Sequence, residues 1–191
     1  MHENRDTVMT SLCIRSTPFG PVVLLWSVFD DQPKIFRVLL SKPGVSAERQ
    51  VPVLFPDSTT SSCSEVDFVA DDIEAFLRGK DIKFSLEMVH MDLCSGFQQG
   101  VLRAEHGIPR SALATYQGIA RHVGSPAGAR AVGNALANNP FPIIVPCHRA
   151  IRSDGTLGGY QGGITMKRAL LEMEGIDFDD TGRVATKVFF Y

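Results

Sequence analysis

The stretch from Asn138 to Arg149 constrains this chain more than any other, reading Asn-Asn-Pro-Phe-Pro-Ile-Ile-Val-Pro-Cys-His-Arg. Asn139 precedes a proline and so cannot easily continue a helix. An apolar run, Phe141–Val145, follows and is closed by Pro146-Cys147-His148-Arg149. A cysteine beside a histidine on a turn held by prolines is a candidate reactive thiolate. The thiolate is the nucleophilic form, and a free thiol ionises only near pH ~8.5, so it needs a nearby base or positive charge. His148 adjoins Cys147, although neighbours in sequence point in different directions. The alternative is a buried, inert thiol.

Around this turn the patterning divides in two. Val22–Val28 and Ile35–Leu40 read as strands, joined through the turn-forming cluster Asp30-Asp31-Gln32-Pro33. Phe84, Leu86 and Met88 alternate with Lys83, Ser85 and Glu87, the pattern of a third strand with one wet face. Val69, Ile73, Phe76 and Leu77 have helical spacing, with Ser64 as start and Gly79 as stop. The segment 53–64, rich in Pro, Ser and Thr, reads as an exposed loop. No catalytic cluster is visible in this first part, a small mixed α/β unit.

The texture changes near Cys94. Ser95-Gly96-Phe97-Gln98 fits a capping box opening a helix to His106, with Phe97, Val101 and Leu102 inward and Gly107 as stop. A second helix spans 115–123 and ends at Gly124. Ser125-Pro126 gives an N-cap and a first-turn proline for a third helix reaching Asn138. Helix, tight turn, helix is a helix-turn-helix pattern. A last helix covers 164–174, and in the tail 176–191 the stretch 184–191 could add an edge strand.

In the third helix Val132 and Leu136 are i, i+4 partners facing the core, which places Arg130 on the opposite face among Ala127, Gly133 and Ala137. Its two glycines each weaken the helix by about 1 kcal/mol relative to alanine. Small side chains let a backbone approach a ligand closely; the alternative is close helix packing with Arg130 merely solvated. Glu174 is a second oddity. It ends its helix, where the macrodipole disfavours an anion, and lies four residues after Leu170, which points it inward. A buried carboxylate needs a partner, and an imidazolium would serve; the alternative is a frayed end in water.

Bulk numbers bound the rest. A chain of 191 residues with 44% apolar and 21% charged residues is an ordinary globular protein of one large domain or two small ones. The four cysteines, at 13, 63, 94 and 147, are scattered without a CxxC, which argues against a disulfide framework and a tetrahedral zinc site. The N-terminus is polar and no window approaches a membrane span, so an intracellular protein is expected. The net charge of −2 hides a basic block: residues 101–152 hold six arginines and one acid, Glu105. Phosphate binding is local electrostatics, so such a block can meet nucleic acid; a solvated surface is the alternative.

Taken in order, Tyr116-Gln117, Ala129-Arg130-Ala131-Val132-Gly133, Asn139-Pro140, Pro146-Cys147-His148-Arg149, Gly159-Tyr160 and Glu174-Gly175 resemble the O6-alkylguanine-DNA alkyltransferases, strongly from 97 to 175 and weakly before. The resemblance implies an α+β protein: a ribonuclease-H-like α/β domain over 1–92, then a winged helix-turn-helix domain over 93–191. It implies that the Arg130 helix enters the minor groove of duplex DNA, with Ala129 and Gly133 against it and Arg130 filling the stack after the damaged base leaves. Cys147 would take the alkyl group of O6-alkylguanine, or O4-alkylthymine, once per molecule. His148 would activate it through a water, oriented by Glu174, and Asn139 would link the recognition helix to the reactive loop. Tyr116 would donate to guanine N3; Tyr160 and Pro142 would line the pocket. The carbonyls of Cys147 and Ala150 would accept from the 2-amino group, and the Gln161 N–H would face O6. No cofactor, metal or membrane is implied, and the protein would be a monomer, cytoplasmic or nuclear according to its source. Some relatives carry an N-terminal zinc, for which Cys13 with Cys63 or a histidine is the remaining candidate.

Three departures stand out: Leu102 for a common tryptophan, Ser111 for a common glycine, and Gln161 for a common serine, the last bearing on pocket width. Rival readings are a lesion sensor without transfer, whose relatives lack the cysteine, a regulatory helix-turn-helix factor, and a Cys-His-Glu hydrolase with no use for Arg130.

Overall fold

A computed structural model describes residues 9–185 and 189–191. Strands β1 (Ser11–Arg15), β2 (Val22–Phe29) and β3 (Gln32–Leu40) form an antiparallel meander, and β4 (Thr59–Thr60) pairs parallel with β1, giving the order β3-β2-β1-β4. β2 is the central strand of the meander, and Val22–Trp26 are buried continuously because both sheet faces are covered. On one face helix α1 (Ala47–Leu54) sets Ala47 and Val51 against Leu12, Val23, Leu25 and Leu39. On the other, helix α2 (Ser64–Leu77) buries Val66, Ala70, Ile73, Phe76 and Leu77.

Four expectations for this half change. The β2–β3 connection is the dipeptide Asp30-Asp31, both at positive φ (47° and 59°), a hairpin geometry that aspartate tolerates. Gln32 and Pro33 therefore belong to β3, an edge strand where a missing N–H is harmless. Residues 53 and 54 close α1, and 59–60 form β4, so 53–64 is a loop only in part. α1 escapes a sequence reading because Pro52 lies inside it and breaks its hydrogen-bond ladder. The third strand is absent: Phe84, Leu86 and Met88 pack half-buried on the core, and only Val89 bridges Ile35. Alternation there records burial rather than pairing.

The second half stacks α3 (Gly96–His106), α4 (Tyr116–His122) and α5 (Ala129–Ala137), with α6 (Ile164–Met173) against the reactive turn. Two short parallel strands, β5 (Ala114–Thr115) and β6 (Ala150–Ile151), join the α4 entrance to the segment after Arg149. Ser95 caps α3 by accepting from the Gln98 amide at 3.3 Å. The Gln98 side chain instead reaches the carbonyls of Ala135 and Asn138, tying α3 to α5, so only half of a capping box forms. Phe97 is exposed, not inward. α5 starts at Ala129, later than Ser125-Pro126 suggested, because the Ser125 amide is spent on Ala120 O and the Ser125 carbonyl on Gly128. The edge strand over 184–191 falls partly on 186–188, outside the described residues; Val184 bridges Phe178, and the Phe190 amide donates to Leu113 O.

One buried cluster runs from Cys13 to Leu170 through both halves. The Val38 amide donates to Pro140 O at 2.7 Å, and Phe76 of α2 lies 6.0 Å from the His148 ring. The sheet thus backs the reactive turn directly. Among the described residues no helix is long and apolar enough to cross a membrane.

Candidate active site

Asn139 shapes the loop that carries the cysteine. It is fully buried; its Oδ1 accepts from the Phe141 amide at 2.9 Å and its Nδ2 donates to Val145 O at 3.2 Å, clamping both ends of the apolar run. Between them Ile143 is held at φ +77°, an unusual state for a β-branched residue that costs about 1–3 kcal/mol and survives only where surroundings enforce it. The chain then turns through a single 3-10 turn, Cys147–Arg149.

Cys147 lies on the floor of a cleft of about 460 Å³. α5 lines it through Ala129, Arg130 and Gly133, and so do Arg152, the loop from Gly158 to Gln161, and Tyr116. Arg130 is exposed and Val132 and Leu136 are buried, the split the helical spacing predicts. At Gly158 (φ +70°) a Cβ would stand 2.8 Å from the Tyr116 hydroxyl, so the backbone must come this close. The Tyr160 ring walls the cleft while its hydroxyl is buried without a protein partner. Gln161 donates its side-chain amide to the carbonyls of Ala137 (3.2 Å) and Asn139 (2.7 Å), fastening the glycine loop to the end of α5. Pro142 and Ala150 are buried and do not line the cleft, and the Ala150 carbonyl already accepts from Lys167.

The electrostatics differ from the thiolate expectation. Burial pushes the Cys147 thiol up to about 12, although a hydrogen bond from Asn139 pulls the other way. At rest the sulfur is a thiol. Burial also lowers His148 below its usual value against the upward pull of Glu174, so at neutral pH the ring is uncharged. Its Nε2 sits 3.0 Å from Glu174 Oε1, and Nδ1 has no protein partner. With Nε2–H assigned as donor to the carboxylate, Nδ1 is left as a free base.

Glu174, 2% exposed, therefore owes its charge to another residue. Arg149 grips it with two bonds, Nε to Oε2 at 2.9 Å and Nη2 to Oε1 at 2.7 Å. Burial alone would raise the carboxyl; the hydrogen bonds of His148 and Arg149 overcome it and bring Glu174 to about 2. The expected partner, His148, is in place as a neutral ring, and Arg149 adds a guanidinium, a bidentate and permanent charge. Ser111 braces the same corner: at φ +65°, a geometry suited to glycine, its hydroxyl donates to the Glu174 carbonyl at 2.5 Å.

Sequence reading missed two more buried groups. Lys167 donates to the carbonyls of Ala150 and Leu157, each at 2.6 Å, and burial lowers it to about 8. Glu105 of α3 is fully buried with neither oxygen hydrogen-bonded to protein, and burial raises it to about 8. Both sit at helical core positions, a signal that hydrophobic spacing would have given had charged residues been allowed inside. Cys13 accepts from Arg15 at 2.9 Å, and among the described residues no cluster of three His, Cys, Asp or Glu could hold a metal.

A family model described as 6-O-methylguanine DNA methyltransferase, DNA binding domain, matches residues 96–176. A methylated-DNA–protein-cysteine methyltransferase of Methanosarcina acetivorans is 33% identical over 162 residues, 85% of this chain and 96% of that protein. The chain belongs to this methyltransferase family. The member from Methanothermobacter thermautotrophicus is 46% identical over 110 residues, 57% of this chain; that match spans 61% of the relative's length. In the Mycobacterium tuberculosis member the match covers 54% of this chain and 62% of that protein's length at 47% identity. Solved structures agree over more of the chain: Mycobacterium tuberculosis OGT, crystallised in complex with DNA, aligns with a TM-score of 0.66 at 32% identity, covering 86% of this chain and 93% of that one. The mixed α+β architecture is that of these methyltransferases.

Proposed function

We propose that this protein repairs DNA by direct reversal, moving the alkyl group of O6-alkylguanine, and of O4-alkylthymine where it fits, onto Cys147. The observation that carries the reading is a thiol at the floor of a cleft, backed by a buried neutral histidine and walled by a slim arginine-bearing helix. A base inside a duplex cannot reach that floor, so it must be flipped out. α5 lies in the minor groove with Ala129 and Gly133 at the DNA, and Arg130 fills the vacated stack.

The Cys147 proton passes to His148 Nδ1 through a bridging water as sulfur attacks. The imidazolium so formed is held by the Glu174 carboxylate, already ionised by Arg149. The S–C bond forms as the C–O6 bond breaks. Tyr116, kept protonated by burial that raises it to about 12, gives its proton to guanine N3 as the base departs. Asn139 holds the loop under the sulfur, and Tyr160, Gln161, Ala150 and Pro142 set the pocket's shape, the last two from behind. Cys147 remains a thioether, so each molecule acts once, without cofactor and as a monomer, wherever genomic DNA is kept.

The antiparallel meander with β4 parallel to β1 supports a ribonuclease-H-like unit over 1–92, and α3–α5 with the β5–β6 pair support a winged helix-turn-helix unit over 93–191. The test is intact-mass measurement after incubation with a duplex holding one O6-methylguanine. We expect one methyl per molecule, mapped to Cys147, and none on Cys147→Ala. Repeated turnover, or label on Cys13, Cys63 or Cys94, would refute it.

A further inference from the structure

Arg152 has no part in the mechanism above. It follows β6, is exposed, and lines two clefts at once: the reactive one, and a second of about 460 Å³ beyond Gly158 that Thr156, Thr165 and Arg168 also line. Arg130 lines the reactive cleft as well. Among the described residues neither Arg130 nor Arg152 pairs with a carboxylate, whereas Arg149 and Arg168 each do. Among the described residues no acid lines either cleft. The hydrogen bond of Arg152 to Thr156 Oγ1, at 3.5 Å, is at the limit of the interaction. Two guanidiniums without a carboxylate in contact therefore line the cleft that holds Cys147, the acid near Arg152 being Asp154, reached only through Thr156, an arrangement that a further anion between or beside them stabilises.

An extruded nucleotide supplies such anions, since its strand carries a phosphodiester on each side of the base. We propose that Arg152 binds the lesion-strand phosphodiester next to the extruded nucleotide, in the cleft it shares with Arg130, and that the second cleft takes the strand as it leaves. This rests on the repair reading above. The guanidinium fork matches phosphate oxygens in a bidentate manner, and Thr165 adds a hydroxyl along the path.

Equilibrium binding of Cys147→Ala protein to an O6-methylguanine duplex over a range of salt tests this, because each phosphate contact contributes about 0.9 to the slope of log K against log salt. Adding Arg152→Ala should lower the slope by about one. Arg152→Lys should keep it, as should Arg103→Ala, which removes an exposed arginine lining neither cleft. In a second arm single phosphates around the lesion are neutralised as methylphosphonates. One adjacent position should weaken the parent several-fold and leave the Arg152→Ala protein unmoved. An unchanged slope, or the same methylphosphonate profile in both proteins, overturns the proposal. Absence of salt-dependent binding in the parent, or of methyl on Cys147 in the wild type, overturns the repair reading and this contact together.

Discussion

At the scale of single residues, the reactive turn works by holding protons in chosen places rather than by keeping a free thiolate. Cys147 is pushed up by burial, His148 is pushed down by burial, and Glu174 is held near 2 mainly by the bonds of His148 and Arg149 that overcome burial. The base is thus mostly neutral by pH 7. Transfer from duplex DNA should then be nearly flat from pH 7 to 8 in single-turnover measurements. A rate climbing tenfold per pH unit there would mean that attack comes from a free thiolate. Glu174→Gln should slow transfer at every pH in this range without shifting the thiol's titration with iodoacetamide. It should also lower stability by about 3–5 kcal/mol, because Arg149 would be left a buried, unpaired cation. The inward position of Glu174 was legible from its spacing after Leu170, but its charged partner was not: Cys-His-Arg offers two cations in sequence, and only burial of the ring decides between them.

At the scale of elements, α5 is where sequence and structure agree best. The 3.6-residue period put Val132 and Leu136 inside and Arg130 outside, and the helix keeps that split although its start shifts to Ala129. Its N-terminus was misread because Ser125-Pro126 has the chemistry of a helix start, while tertiary geometry spends the Ser125 amide on α4. α1 was lost for a related reason, with Pro52 outweighing the capping serine, Ser46, which accepts from Arg49 at 3.4 Å. Because Arg130 is exposed, Arg130→Ala should move the melting temperature little, as surface substitutions usually do. Its effect should fall on flipping: the ratio of transfer rates, duplex over free O6-benzylguanine, should drop by at least tenfold. Arg130→Lys should restore little of it, since lysine lacks the planar group that stacks. Equal losses on duplex and free base would place Arg130 in the support of the pocket.

At the scale of the whole molecule, the basic block read from the sequence loses one charge, since Arg149 is consumed by Glu174, while its lone acid, Glu105, is buried and takes none of the surface charge away. Glu105 is fully buried on α3, whose Val101, Leu102 and Ala104 belong to the cluster that joins both halves, so its protonation is a property of the folded molecule. Burial raises it from 4.5 to about 8. The folded state therefore holds a proton that the unfolded chain has released between those values, and stability from this group is full below pH 4.5 and is lost as pH rises toward 8. Other groups facing it, Lys167 and Arg149 above all, stay cationic over most of that window, while His148 and Glu174 act in the opposite sense at lower pH. The difference between wild type and Glu105→Gln removes those shared terms. We expect the variant's relative stability, from urea unfolding at pH 5, 6, 7 and 8, to grow with pH by up to about 1.4 kcal/mol per unit, the limit for one proton. Glu105→Leu, which fills the site with apolar atoms, should show the same trend. A difference independent of pH in both variants would mean that Glu105 is ionised and paired in the folded protein, with Lys167 as the counter-charge.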